Sequence, residues 1–367
     1  MNKSSFIYQC AFAAMGFLGF AASQSFAATK GLAATQGFAA SQTHDTAKAI
    51  NTDYTKYVDP FVGNADNGHT FPGACSPFGM IQASPVTGGV GWRYCAEYVY
   101  SDSIIWGFTQ NHLNGTGCMD LGDILVMPST GQRTRSWDGY RSRFSKKQEF
   151  ASPGYYSVYL TDAKVKAELT TTPHVAFHRY TFDSADSTSV LIDLQHGPSW
   201  NEKQYHSQVN LCETHWEDAQ TLVGHVQNTV WVKQDYFFVL KFNRPVASHI
   251  TLAKAADTEK GDRIVATFEG IDQGEQLLMK IAMSTTSIDG AKKNLKAEVP
   301  DWNFAATRRA AHDEWNAYLQ RIDVEGTLDQ KKNYYTSFYH ALIQPNQIAD
   351  VDGMYRNAAD QIVKAET

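Results

Sequence analysis

Residues 155–170 read YYSVYLTDAKVKAELT, and this stretch decides the fold class. Apolar side chains occupy every second position at Tyr156, Val158 and Leu160, and the alternation resumes after a short polar link. Successive side chains of a strand point to opposite faces of a sheet, so a period of two is typical of strands with a buried face. The stretch therefore predicts two antiparallel strands joined by a short turn.

Similar runs recur at intervals of about 8–15 residues, separated by Gly, Asp, Asn and Pro. Many short strands without intervening helices favour an antiparallel β-sandwich over a parallel sheet. We predict a mainly β protein whose sandwich domain covers residues 52–290. The further predicted strands lie at residues 175–182, 190–194, 222–227, 236–242, 249–255, 264–268 and 277–284.

The periodicity becomes helical at about Ser287. One helical pattern leads up to Leu319 with Asp301 as a plausible N-cap, and a second runs from about Asp329 to Leu342. Residues 291–325 are predicted to be a helical linker, and residues 326–367 the beginning of a helical domain. These helices have too few partners in the sequence to bury both of their faces.

The stretch from Tyr57 to Pro128 is dense in glycine, proline, aromatic and polar residues. Glycine is favoured where the backbone needs a positive φ or a close approach, so the pattern predicts ordered loops in place of strands or helices. Rigid loops that carry His, Asn, Asp and Trp are a usual place for a binding surface. A tightly turned β-protein with ordinary loops would have the same composition.

Composition narrows the class of partner. The net charge is -6 and charged residues make up 19% of the 367 residues, which indicates neither nucleic acid nor an anionic membrane surface as a partner. Aromatic residues make up 13%, including 8 Trp and 18 Tyr. Flat aromatic rings suit the apolar faces of sugars, and they suit the core of a β-protein equally well.

The N-terminus has the features of an export signal. A single Lys3 precedes an apolar run up to Ala22, and small residues near Ala28 offer a cleavage site. The run is too short and too interrupted for a transmembrane anchor. We predict a signal peptide at residues 1–28, a flexible low-complexity spacer at 29–51, and export to a periplasm or to the extracellular space.

The cysteines define no clear framework. After removal of the signal, Cys75, Cys95, Cys118 and Cys212 remain, which allows three pairings into two disulfides or a set of buried thiols. Their spacing is not that of a zinc site.

Several long motifs in one order resemble glycoside hydrolase family 92, the calcium-dependent exo-acting α-mannosidases. They are DPFVG at 59–63, NGHTFPGACSPFGM at 67–80, the run 100–128 that begins YSDSIIWGF, AKKNLKAEVPDW at 291–302, WNAYLQRIDVEG at 315–326 and FYHALIQPNQIADVDGMYR at 338–356. The resemblance covers nearly everything after about Asn51. It implies a β-sandwich followed by a helical linker and an (α/α) barrel, of which residues 326–367 would be the truncated start.

The resemblance also implies hydrolysis of terminal α-mannosides with inversion, assisted by Ca²⁺. The family's acid and base resemble a Glu and an Asp of the helical domain, the latter in a late GNDDxG motif that this sequence lacks. We therefore assign no catalytic residue and no metal ligand here, and we expect a chain that is inactive without its catalytic partner half. The alternative is a non-catalytic carbohydrate-binding sandwich.

The resemblance implies that the loops between Tyr57 and Pro128 form the part of a binding site for a mannose-containing glycan that the sandwich domain contributes. Amide, imidazole, hydroxyl and indole groups suit vicinal hydroxyls or stacking on a pyranose, while a capped turn or a core position is the plain alternative for each. Asp120 and Asp123 are more simply interpreted as braces of the same loop. The candidate substrate-binding residues are Asn67, His69, Thr70, Trp92, His112, Gly115, Thr116, Gly117 and Cys118.

Two further groups give weaker signals. Asp193, His196 and Trp200 follow a strand and predict a domain-interface feature. The tract from His206 to His215 has metal-capable groups at loose spacing, which a solvated loop explains better.

Overall fold

The computed structural model describes residues 52–131, 137–184, 186–201, 204–206 and 208–366. The predicted signal peptide at 1–28 and the predicted spacer at 29–51 lie outside the described residues. From Asp53 onward the chain forms one compact unit. No helix in the described ranges is long and apolar enough to cross a membrane.

The chain is rich in short strands and carries its helices near the C-terminal end. The strands are β1 (Ala74–Cys75), β2 (Gln82–Val86), β3 (Ile104–Ile105), β4 (Gly107–Thr109), β5 (Leu125–Thr130), β6 (Ser142–Ser152), β7 (Tyr155–Leu160), β8 (Val165–Thr171), β9 (Val175–Phe182), β10 (Thr188–Asp193), β11 (Ser199–Asn201), β12 (Gln204–His206), β13 (Gln208–Asp218), β14 (Thr221–Thr229), β15 (Lys233–Phe242), β16 (Ser248–Thr251), β17 (Arg263–Phe268), β18 (Gln276–Ser284), β19 (Met354–Arg356) and β20 (Ile362–Lys364). The helices are α1 (Ile288–Glu298), α2 (Phe304–Leu319) and α3 (Leu328–Ala341).

Two large sheets form the sandwich. The first has seven strands in the order β1-β2-β4-β5-β10-β17-β16, and the second has nine in the order β13-β14-β15-β18-β9-β8-β7-β6-β3. The described pairings within both sheets are antiparallel, and β7 and β8 form the predicted hairpin with Val158 opposite Ala167. The mainly β, antiparallel fold class predicted from the sequence is confirmed.

The main core lies between the two sheets. Val158 and Leu160 from the nine-stranded sheet and Leu191 from the seven-stranded sheet belong to the same buried apolar cluster. Part of the outer face of the nine-stranded sheet is buried too, because Phe177 and Val239 pack against Ala291 of α1 and its neighbours. This second buried face explains why several strands there are more apolar than a half-exposed strand needs to be.

The glycine-rich stretch departs from its prediction. Four short strands, β1 to β4, lie within what the composition indicated to be loops. Each has only two to five residues; β1 pairs with the nearby β2, while β2 pairs with the more distant β4 through Ser84 and Thr109. Tertiary pairing therefore overrides the local preference of glycine and proline for turns.

The helices dock on the base of the same stretch. Trp315 of α2 and Tyr339 of α3 are fully buried in a second cluster that includes Phe71 and Cys75. The indole Nε1 of Trp315 donates a hydrogen bond of 2.6 Å to the carbonyl of Cys75. The part of the glycine-rich stretch around Phe71 and Cys75 is therefore held in place by the helices.

Two details of the helices differ from expectation. The N-cap of α2 is Asn303, whose side chain accepts a hydrogen bond from the Ala306 N–H, and Asp301 instead accepts from the Asn303 N–H. Helix α3 covers Leu328–Ala341, close to the predicted span, and begins with a capping box of Thr327 and Gln330.

The C-terminal hairpin of β19 and β20 is tied to the sandwich through Asp350. This buried carboxylate accepts hydrogen bonds from Ser284 at 2.7 Å, Thr286 at 2.6 Å and Asn294 at 2.7 Å. The four cysteines at 75, 95, 118 and 212 form no disulfide within the described residues, which favours the thiol interpretation.

Candidate functional site

The loop around residues 63–70 turns back on itself and holds Thr70 inside. The Thr70 hydroxyl donates to the carbonyl of Val62 at 3.0 Å and to the side chain of Asn64. Thr70 is buried, whereas Asn67 at the loop tip is exposed. Of these two predicted site residues, only Asn67 lies where a ligand could reach its side chain, and Thr70 braces the loop.

His69, Trp92 and Gly117 come together from three separate segments, and we call this group the outer surface. The rings of His69 and Trp92 meet edge to face, with centroids 4.8 Å apart and an interplanar angle of 86°. A Cβ on Gly117 would lie 2.8 Å from the Trp92 ring and 3.0 Å from Nδ1 of His69, and Gly117 has φ of 61°. Only glycine fits this position without displacing one of the rings.

Trp92 is exposed enough to contact a ligand. Its side chain is 38% exposed, which argues against a core role. It begins a short 3₁₀ turn, Trp92–Tyr94, after Gly91 at φ 102°. The Tyr94 hydroxyl donates to Asp102 at 3.0 Å, so Asp102 supports the turn that presents the indole.

His69 is held in a defined orientation and in its neutral form. Its main chain is at φ 55°, and its carbonyl accepts a 2.6 Å hydrogen bond from the Gly115 N–H. Burial lowers the pKa of His69, against the opposing effect of a hydrogen bond with the Trp92 backbone. Its Nε2 is buried without a hydrogen-bond partner among the described residues. A buried polar atom of this kind is a natural partner for a ligand hydroxyl.

The rest of the predicted loop flanks the outer surface. Gly115 and Thr116 are exposed and Cys118 is half-buried. The Thr116 hydroxyl accepts a 3.3 Å hydrogen bond from the Cys118 N–H, which closes a small local turn. These residues border the outer surface beside Gly117.

His112 lies elsewhere, inside the protein. It is 1% exposed, with Nδ1 2.8 Å from the carbonyl of Gln82 and Nε2 2.8 Å from the Thr109 hydroxyl. Its ring also packs against Phe71 at 5.2 Å between centroids. The structure therefore separates His112 from the outer surface, and its contacts are those of a brace.

Sequence reasoning missed Glu97, which completes that brace. Its carboxylate is 1% exposed and lies 2.6 Å from Nε2 of His196 and 3.2 Å from Nε2 of His112. The Thr109 hydroxyl donates a further hydrogen bond to it at 2.8 Å. We call Glu97, His112 and His196 the buried brace. No local motif marks Glu97, and the only hint was the cluster containing His196.

The buried brace favours the ionised form of Glu97. Burial favours the neutral acid, but the imidazoles of His196 and His112 more than offset it and lower the pKa of Glu97 to about 2. Burial likewise opposes charge on His196, yet Glu97 raises the pKa of this imidazole. A Cβ on Gly122, at φ 82°, would lie 2.7 Å from the Glu97 carboxylate, so glycine is required there as well.

Asp120 and Asp123 are both buried near the same loop. Asp123 accepts hydrogen bonds from Asn111 at 2.9 Å and from Asn228, and burial raises its pKa to about 7. Asp120 accepts from Gln234 at 3.0 Å, and burial raises its pKa to about 6. Asp123 thus has the contacts of a brace, while Asp120 borders a cleft.

The weaker clusters have structural contacts. Asp193 binds Arg263 at 3.1 Å and the N–H groups of Gln195 and His196. The side chain of Trp200 lies outside the described part of the chain. The tract that ends at His215 lies largely on strands β12 and β13. Within the described residues there is no group of three or more His, Cys, Asp or Glu that could hold a metal ion.

Comparison with known proteins assigns these features to a family. The model of the glycosyl hydrolase family 92 N-terminal domain matches residues 57–284, and that of the family 92 catalytic domain matches residues 290–367. A family GH92 α-mannosidase from Bacteroides thetaiotaomicron is 30% identical, with a TM-score of 0.79 over 86% of this chain and 44% of that one. The same enzyme has been solved in complex with mannoimidazole.

A more distant relative is an uncharacterized secreted glycosidase of Arthroderma benhamiae. It is 24% identical over an alignment of 348 residues, and the match covers 83% of this chain and 43% of that protein. The chain therefore spans less than half the length of the relatives it matches. The family model for the N-terminal domain covers well over half of the sequence, and the chain belongs to glycosyl hydrolase family 92.

Proposed function

We propose that this chain forms the sandwich wall of the sugar site in an exo-α-mannosidase that hydrolyses terminal α-mannosides of glycans with inversion. The observation that carries the proposal is the outer surface, where an exposed Trp92 ring stands beside the partnerless Nε2 of His69. The B. thetaiotaomicron relative, a GH92 α-mannosidase solved with mannoimidazole, supports mannose as the sugar.

Each group at the outer surface suits one part of a mannose unit. The Trp92 ring offers an apolar face for the C–H groups of a pyranose, and aromatic side chains commonly line such pockets. His69 offers a neutral ring nitrogen, and the exposed amide of Asn67 offers both a donor and an acceptor. Exposed Gly115 and Thr116 let a sugar approach the backbone closely.

The chemistry itself needs two carboxylates. In an inverting glycosidase a general acid and a general base lie roughly 6.5–9.5 Å apart, with a water between the base and the anomeric carbon. Two buried carboxylates of these loops are already engaged, since Glu97 is clamped by imidazoles and Asp123 by two amides. We propose that both catalytic groups belong to the portion of the relatives that this chain does not span, and that the chain alone is inactive.

Calcium is part of this proposal only as an ion bound elsewhere. The described residues contain no cluster suited to a metal ion, so they do not fit a calcium site by themselves. We therefore propose that the calcium ligands also belong to the portion of the relatives that this chain does not span. Export is proposed too, and the relative described as secreted supports it.

The test is an assay of α-mannoside hydrolysis by the purified chain, beside the same chain extended through a complete helical domain. We expect activity in the extended protein and none in the short chain. Turnover by the short chain would contradict the proposed location of the carboxylates. Mannose binding without activity in either protein would favour a non-catalytic carbohydrate-binding module.

A further inference from the structure

A cavity of about 460 Å³ lies where the start of α2 packs on the nine-stranded sheet. Its lining comes from the turn between β6 and β7, from Arg179 of β9, and from the first turns of α2, which supply Arg308 and Arg309. The described residues that line it include none of the outer surface and none of the buried brace. We call it the arginine cavity, and its volume is within the range of small-molecule sites.

Two of the three arginines are held by a crosswise pair of ring contacts. The guanidinium carbon of Arg308 lies 3.5 Å from the centroid of the Tyr155 ring, and that of Arg179 lies 4.3 Å from the centroid of the Phe304 ring. Phe304 and Arg308 are four residues apart on α2 and therefore share one face of the helix. The sheet and the helix thus each supply one ring and one guanidinium, which restricts both cations before any ligand binds.

The charge of Arg179 is already balanced. Glu168 accepts two hydrogen bonds of 2.8 Å from its guanidinium and a third, at 2.7 Å, from the Tyr155 hydroxyl. Lys166 lies 3.6 Å from the same carboxylate. Glu168 therefore serves two cations and leaves no negative charge for a third.

Arg308 and Arg309 have no such partner. Both are exposed, and the arginine ion pairs found in the described part of the chain involve other arginines. Among the described residues that line the cavity, Asp313 has the sole carboxylate, and it lies 3.0 Å from Nδ1 of His312. The nearby Asp53 is 3.4 Å from Nε2 of the same imidazole. The acidic groups at this end of the cavity therefore contact the histidine and leave both guanidiniums unpaired.

Unpaired guanidiniums in a cavity match one class of ligand. The planar fork of N–H donors suits the oxygens of a phosphate or a carboxylate, and two forks together suit the double charge of a phosphate. Pro153, Phe304 and Ala305 add apolar surface to the same lining, which leaves room for a small organic group attached to the phosphate.

We propose that the arginine cavity binds a phosphate group through Arg308 and Arg309. The inference does not depend on the proposed function, because the cavity contains neither Trp92 nor His69. Free inorganic phosphate and the phosphate monoester of a small molecule offer the same chemistry, and the test separates these two sources.

The test is isothermal titration calorimetry of the full chain with sodium phosphate and with glycerol 3-phosphate, at neutral pH and physiological salt. We expect saturable binding of at least one of them with a Kd on the order of 1 mM, the strength of two hydrogen bonds from charged groups. In Arg308→Gln and in Arg309→Gln the affinity should fall about tenfold. The matched control is Arg321→Gln, because Arg321 is also exposed and also lies over a tyrosine ring, 4.3 Å from that of Tyr318, but outside the cavity. It should bind as the wild type does.

The two cavity variants keep the test decisive. Arg308→Gln loses the contact with the Tyr155 ring, so circular dichroism checks its fold, and Arg309→Gln carries the test alone if that fold is disturbed. Tighter binding of glycerol 3-phosphate would support the inference with a monoester as the ligand, and tighter binding of inorganic phosphate would support it with the free ion. No saturable binding of either, unchanged affinity in the cavity variants, or an equal loss in Arg321→Gln would overturn it.

Discussion

His69 and His112 come from the same glycine-rich stretch, yet they belong to regions with opposite physical character. His69 lies in the outer surface beside an exposed indole and is kept neutral by burial without a charged partner. His112 lies in the buried brace, 3.2 Å from the ionised Glu97. The comparison shows that two histidines of one stretch acquire different environments from their tertiary partners, because His112 has polar partners at both ring nitrogens while Nε2 of His69 has none among the described residues.

The largest effect should come from Glu97→Ala. It would leave two buried imidazoles and the Thr109 hydroxyl without their common partner, and removal of one member of a buried ion pair costs about 3–5 kcal/mol. We expect the free energy of unfolding, measured by urea titration, to fall by about that amount. Asp313→Ala is the control and should change it by less than about 0.5 kcal/mol. A similar small change in both variants would mean that the brace contributes little.

Both low and high pH should weaken the buried brace. The pKa of Glu97 is lowered in the folded protein to about 2, so its contribution is present above the unfolded value of 4.5 and is lost as the pH falls through 2. The pKa of His196 is raised in the folded protein, so the stability that its charged form contributes is lost as the pH rises through this raised pKa. Urea titrations of the wild type at several pH values should therefore show a free energy of unfolding that falls on the acid side because of Glu97 and falls on the alkaline side because of His196.

Glu97→Gln is the matched variant for this pH dependence. The amide is similar in size to the carboxylate but carries no charge, so both slopes should become shallower. An unchanged dependence of the free energy of unfolding on pH in the variant would show that other groups cause it.

Trp92→Ala should affect binding far more than stability. The indole is 38% exposed, so its removal should lower the free energy of unfolding only slightly. Loss of the stacking face should weaken methyl α-mannoside binding about tenfold, which corresponds to about 1.4 kcal/mol. A titration calorimeter measures the affinity, and a urea titration supplies the stability. A large loss of stability with unchanged affinity would place Trp92 among the structural residues.

Gly117→Ala should have the smallest effect of the four. The new Cβ would lie 2.8 Å from the Trp92 ring, so the ring must shift, while the positive φ adds strain of about 1–2 kcal/mol. We expect an affinity loss of about threefold, smaller than that of Trp92→Ala. Gly131→Ala, at φ 74° with open space around it, is the control for backbone strain alone. Equal affinities of Gly117→Ala and Gly131→Ala for methyl α-mannoside would show that the contact with the Trp92 ring does not weaken binding.

The sequence predicted the sandwich well because its signal is local. The alternation at Tyr156, Val158 and Leu160 follows directly from the pleat of one strand, and the β7–β8 hairpin confirmed it. The short strands β1 to β4 could not be predicted, because pairing across the sheet and not local propensity forms them. The N-cap of α2 was assigned to Asp301 when Asn303, two residues later, was an equally good candidate.

The site was predictable only in outline. The composition of the loops indicated a binding surface, and the structure brings His69, Trp92 and Gly117 together there. Nothing in the sequence distinguished His69 from His112, because the difference depends on Glu97, which no motif marks. Long-range polar contacts of this kind are decided by the tertiary fold.

The central claim is that the outer surface contacts the mannoside while the buried brace does not. A crystal structure of the extended protein with a bound α-mannoside tests it most directly. The account predicts a sugar ring against Trp92, with a hydroxyl within hydrogen-bond distance of His69 Nε2 and no contact with Glu97 or His112. A mannoside bound away from Trp92 and His69 would contradict it.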